Sequence, residues 1–174
     1  MKTRLKSMLL IAATLFALAS CKTETEEHLH VEKVDVAAET AAATSVMKSY
    51  KDAIQKLTTE GTMELFTKDA LVFESGGSEG TYANYESHHL GPELVHFNSF
   101  IFSDYTIDVK IDMPFAFTTE TYIYTIDLKA NEEKDRPARI IKKKGVATSI
   151  LKKIDGKWMI TQTHSSSRGV KSSH

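Results

Sequence analysis

From Tyr105 onward, apolar residues recur at every second position. Tyr105, Ile107, Val109 and Ile111 alternate with Thr106, Asp108, Lys110 and Asp112. A period of two puts the first set on one face of a strand and the second on the other. Pro114 marks a turn, and "FAFTTETYIYTIDL" follows with the aromatic and β-branched composition of a strand. The charged loop "KANEEKDRP" separates it from "ARIIKKKGVATSILKKI", and "DGK" turns that run into "WMITQTHSSS". Long hairpin-connected strands therefore account for the second half of the chain.

The first half has a different period. Val46, Tyr50, Ala53, Ile54 and Leu57 share one helical face, and Gly61 suits a helix stop. Thr62 can cap a second short helix, "ALVFE" reads as a short strand, and "SGGSEG" leads into a third helix that starts near Thr81 and stops near Gly91-Pro92. Helices followed by antiparallel strands make an α+β domain, expected over residues 44–167. The chain has no Gly-x-Gly-x-x-Gly pattern, which argues against a Rossmann unit.

Residues 1–20 read as an export signal: Lys2, Arg4 and Lys6 precede a short apolar run that ends in "LASC" at Cys21. That ending resembles a bacterial lipobox, and the resemblance implies a lipid-modified Cys21 and a membrane attachment. Cys21 is the one cysteine, so no intrachain disulfide is available. Residues 21–43 read as a polar tether and residues 168–174 as a tail. By resemblance to enterobacterial lipoprotein sorting, Lys22 after the cysteine implies the outer membrane of a bacterial envelope, facing the periplasm. Loss of the first 20 residues would take the formal net charge from -1 to about -4, without a concentrated basic surface, so nucleic acid is not an expected partner.

Several side chains carry candidate chemistry. Glu74 ends an apolar strand, where partial desolvation raises a carboxyl toward the range of a useful base; a solvated strand-end carboxylate is the plainer alternative. Tyr50 stands on an apolar helix face, and its hydroxyl needs a partner from a ligand or from the protein. In "WMITQTH", strict alternation puts Trp158, Ile160, Gln162 and His164 on one face, so His164 is expected to line a pocket or pack as a structural histidine. Tyr82, Tyr85 and His89 share a stripe. His88 and His89 point about 100° apart on a helix and do not face one ion together, and no His-Glu-x-x-His motif is present. His28 and His30, in an acidic stretch, make a weak pair. No metal site is expected.

"YKDAIQKLTTEG", "LFTKDALVFESGG", "EGTYANYESHHL" and "DGKWMITQTHSS" together resemble the SnoaL-like branch of the nuclear transport factor 2-like superfamily, which includes ketosteroid isomerases, cyclases and dehydratases. The resemblance covers residues 44–167. It implies a cone in which three N-terminal helices pack against a strongly curved antiparallel sheet around a cavity. It also implies Tyr50 as donor to an oxyanion and Glu74 as general base. A second acidic donor would fall near Ala147 to Ser149, where no acid stands, so the isomerase set is incomplete.

The leading expectation is a lipid-anchored envelope domain that binds a small, largely apolar molecule without a cofactor. Glu74, Tyr50 and His164 would form its centre, with Tyr82, His89 and Trp158 as ligand contacts. The first alternative is an isomerase, cyclase or dehydratase with Glu74 as base. The second is a protein-interaction module. A homodimer through the outer face of the sheet is expected because related folds pair there.

Overall fold

The computed structural model describes residues 34–170. The export signal, Cys21 and the pair His28 and His30 lie outside the described residues. Helix α1 spans Val36–Gln55, with the Asp35 side chain accepting a hydrogen bond from the Ala38 amide at its start. The helix therefore begins inside the stretch expected to be tether. Its buried stripe is Ala43, Met47, Tyr50, Lys51 and Ile54. Among the described residues no helix is long and apolar enough to cross a membrane.

Six strands follow: β1 (Phe66–Glu74), β2 (Gly77–Thr81), β3 (Phe97–Asp112), β4 (Phe115–Leu128), β5 (Arg139–Ile154) and β6 (Lys157–Gly169). They form one sheet in the order β2-β1-β6-β5-β4-β3. Neighbours are antiparallel except β1 and β6, which run parallel. The alternation of β3 is realised, with Tyr105, Ile107, Val109 and Ile111 half-buried between exposed polar neighbours. β6 continues through Ser165–Ser167 to Gly169, past the expected start of the tail.

Two features of the expected cone are corrected. Three helices do not precede the sheet. Residues Thr62–Leu65 make a single 3-10 turn, held between Gly61 at φ 74° and the extended Phe66. Its four residues are wound as a 3-10 turn and the chain becomes extended at Phe66, so no α-helix forms there. The second helical segment, α2 (residues 82–94), comes after β1 and β2 and is made of an α-turn, a π-turn over Glu86–Leu90 and another α-turn. Nor does the sheet close or curl strongly. β2 and β3 are its free edges, and β2 is a five-residue strand paired only with β1. The α+β class stands.

The core lies between α1, α2 and the inner face of the sheet. Phe66 and Tyr82 stack with ring centroids 3.6 Å apart, and Tyr50 meets both edge-on. Tyr82 is 1 % exposed and donates its hydroxyl to Thr62 Oγ1 at 2.7 Å.

Candidate functional site

A cavity of about 400 Å³ opens between α1, α2 and the inner face of the sheet. Its geometry follows from strand register. Glu120 on β4 is opposite Ala147 on β5, Ala147 is opposite Ser165 on β6, and Ser165 is beside Glu74 on β1. These four residues form one row across the sheet, with a carboxylate at each end. Three inter-strand spacings, roughly 14 Å of backbone, separate the two.

At the first end, Glu74 Oε2 accepts a hydrogen bond from the Tyr85 hydroxyl at 3.0 Å. Burial, followed by the nearby Tyr50 and Glu74, pushes the Tyr85 phenol far above its ordinary value, so it remains a protonated donor. Tyr50 also lines the cavity. Burial first, then Tyr82 and Glu74, raise its pKa well above that of a free phenol. The result is a carboxylate beside two phenols that hold their protons at any ordinary pH.

His89 borders the same end. Its Nδ1 is 3.1 Å from Glu79 Oε2 and its Nε2 is 3.5 Å from Glu93 Oε1. Burial alone would lower its pKa, but the bond to Glu79 and the charges of Glu93, Glu74 and Glu79 outweigh that and raise it. Glu93, partly desolvated, is itself shifted upward.

At the second end, Glu120 is completely buried and Lys51 nearly so. The Lys51 ammonium is 3.2 Å from Glu120 Oε1, and the Tyr105 hydroxyl donates to the same oxygen at 2.6 Å. Glu120 Oε2 has no hydrogen-bond partner among the described residues. The rings of Tyr122, Phe102 and Tyr105 surround the ammonium at 4.7, 4.9 and 5.8 Å. Burial lowers the Lys51 pKa, and Glu120 opposes that shift.

Tyr50, Glu74 and His89 thus line one cavity, and three other expected site residues do not. His164 is exposed on the opposite face of β6. The cause is a bulge: Ile150 pairs with Gln162 but Leu151 pairs with Ile160, which leaves Thr161 as an extra residue. One inserted residue reverses the alternation, so Trp158 and Ile160 point inward, and so do Thr163, Ser165 and Ser167. Trp158 is buried away from the cavity, and its Nε1 donates to Glu39 Oε2 at 2.9 Å. Tyr82 is sealed in the core with Thr62, its phenol pushed up to about 12 mainly by burial. His88 is exposed and bonds to Ser87 and Asn84. Among the described residues no group of three or more His, Cys, Asp or Glu is placed to hold a metal ion.

Solved structures share this fold. A candidate dehydratase of the nuclear transport factor 2-like family from Streptomyces avermitilis matches with a TM-score of 0.65 at 12 % identity, over 78 % of this chain and 99 % of its own. A nuclear transport factor 2-like superfamily protein from Salmonella enterica matches with a TM-score of 0.65 at 15 % identity, over 79 % and 95 %. The chain has a nuclear transport factor 2-like fold. A hexachlorocyclohexane dehydrochlorinase from Novosphingobium barchaimii matches with a TM-score of 0.62 at 14 % identity, over 79 % and 94 %. No protein-family model and no curated protein matches the sequence.

Within the nuclear transport factor 2-like fold, no acid stands at Ala147–Ser149, and the acid beside that stretch is on the neighbouring strand. Glu120 stands beside Ala147 in the same row. Sequence reasoning missed Glu120, Lys51 and Tyr85 as cavity residues. A signal existed for each: Ala116, Thr118, Glu120 and Tyr122 share one face of β4, Lys51 falls four residues after Met47, and Tyr85 lies in the stripe of Tyr82 and His89. The contacts Tyr85–Glu74, Tyr105–Glu120 and His89–Glu79 are all partly buried.

Proposed function

We propose that this domain is an acid/base enzyme of isomerase or dehydratase type that works with its own side chains, with Glu74 as the base. The bond from Tyr85 to Glu74 Oε2 carries the reading. It fixes the carboxylate at the cavity wall, while Oε1 has no hydrogen-bond partner among the described residues. A carboxylate so placed removes a proton α to a carbonyl, and the Tyr50 hydroxyl donates to the oxygen on which charge develops. Donors already in position and shielded from water need no reorganisation as charge forms.

In a dehydration, the electron pair left by the α-proton forms a carbon–carbon double bond and expels a β-hydroxyl. That group leaves as water after taking a proton. Protonated His89, held by Glu79 and Glu93, is a donor at the same end of the cavity. In an isomerisation, the proton taken by Glu74 returns to a different carbon.

The test uses 3-hydroxycyclohexanone as probe, with enone absorbance and deuterium uptake α to the carbonyl as readouts. General-base catalysis is typically worth 10²–10⁴-fold, so Glu74→Gln should lower both rates by about that factor. Tyr50→Phe should cost about 10²-fold. Wild-type rates no higher than those of Glu74→Gln would reject the reading.

Two further proposals are separable from the chemistry. Lipid attachment at Cys21, and with it a place in the cell envelope, rests on the sequence of residues 1–21, and mass spectrometry of the mature N-terminus tests it. A homodimer through the outer face is supported by the exposed Phe115, Phe117 and Val146; a monomer in sedimentation up to about 100 μM would reject it.

A further inference from the structure

The wall of the cavity changes character with distance from the Glu74–Glu120 row. Along β5 the inward positions after Ala147 are Gly145, Lys143, Ile141 and Arg139. Of the triplet Lys142–Lys144, only Lys143 lines the cavity, and its two neighbours are exposed. At about 3.4 Å per residue, Lys143 sits roughly 14 Å from the row, and Arg139 lies further along. Arg136 joins them, its backbone held by paired hydrogen bonds with Asn131 at 2.8 and 2.9 Å. Among the described residues no carboxylate forms an ion pair with any of these three cations. The nearby acids Glu132, Glu133 and Asp135 do not line the cavity.

Between the row and these cations the wall is apolar and aromatic. Phe100 stacks on Tyr124 with centroids 5.4 Å apart, and Phe97 and Ile126 extend the surface. The row carries Glu74 at one end and the Lys51–Glu120 ion pair at the other, whereas Arg136, Arg139 and Lys143 line the cavity without an ion-pair partner among the described residues. Arg136 and Arg139 are exposed and Lys143 is half-buried; a neutral apolar ligand would make no use of these charges, whereas an anionic group on the ligand would pair with them.

We propose that the substrate is an amphiphilic anion, an apolar body ending in a carboxylate, whose charged group is held by Arg136, Arg139 and Lys143. The inference deepens the acid/base reading and rests on it for which end of the molecule reacts. With the carboxylate at the cationic end, the far end of the apolar body reaches Glu74, Tyr85 and Tyr50. The three cations select by charge and distance and take no part in proton transfer.

Binding tests this without any turnover, so its failure is distinguishable from failure of the acid/base reading. The neutral dye Nile red is displaced from the full chain by decanoate or by decan-1-ol, two chains of the same length with different ends. Decanoate should be at least about tenfold more effective, as expected when several exposed cations share one anion. In the triple variant Arg136→Gln/Arg139→Gln/Lys143→Gln, decanoate should fall to the level of decan-1-ol. Displacement by decan-1-ol should be unchanged there, which also reports that the cavity remains folded. Equal displacement by the two chains in the wild type, failure of decanoate to displace the dye, or a preference that survives in the triple variant would overturn the proposal.

Discussion

The ring of Tyr122 occupies the space that a side chain on Gly145 would need. The two residues face each other across β4 and β5, and a methyl group on Gly145 would meet three ring carbons of Tyr122. The glycine lets the ring lie flat on the sheet, and Tyr122 in turn forms part of the aromatic surround of Lys51.

Gly145→Ala should therefore act as an overpacking change and destabilise the domain by about 1–3 kcal/mol. Combining it with Tyr122→Val should cost less than the sum of the two single changes, because the clash disappears with the ring. Urea denaturation of the four proteins measures the coupling; additive costs would show that the ring and the glycine are independent.

The Lys51–Glu120 pair predicts a characteristic asymmetry. Removal of one partner from a buried ion pair strands the other charge, so Lys51→Met or Glu120→Leu alone should cost about 3–5 kcal/mol. Lys51→Met/Glu120→Leu should cost less than either single change. A double variant as unstable as the sum of the two would reject the pairing.

His89 makes stability depend on pH with a definite sign. Its folded pKa is raised above the ordinary 6.5 because Glu79, Glu93 and Glu74 favour the imidazolium over the opposing effect of burial. The contribution is complete below about 6.5 and fades as pH rises through the folded value. Titration of the His89 ring by two-dimensional NMR should give a midpoint above 6.5, and Glu79→Gln should lower it. A midpoint unaffected by that change would show that the contact does not set the protonation of His89.

The bulge at Thr161 predicts what His164 does not do. As an exposed residue on the outer face, His164→Ala should change stability by no more than about 0.5 kcal/mol and leave dye binding in the cavity intact. Thr163→Leu, on the inner face, should reduce dye binding by filling space. Loss of binding in His164→Ala would contradict the register of β6.

Much of this architecture follows from local pattern. The alternation from Tyr105 to Ile111, the aromatic run of β4 and the Asp-Gly turn before β6 specify long strands, because a period of two admits no helix. Thr81 as an N-cap specifies where α2 begins, its side chain accepting from the Asn84 amide. Glu74 at a strand end and Tyr50 on an apolar helix face are legible for the same reason.

What required tertiary structure is every feature set by a partner distant in sequence. Alternation cannot show that Thr161 is an extra residue, since a bulge exists only relative to the strand opposite, and so alternation alone puts His164 on the inner face, whereas it lies on the outer one. Lys51 and Glu120 each read as solvated when taken alone. Their burial becomes tolerable only when 69 positions of chain bring them within 3.2 Å of each other among aromatic rings. The number of helices depended likewise on whether four residues at Thr62–Leu65 had neighbours that would extend them past one turn, and β1 beginning at Phe66 ended that possibility.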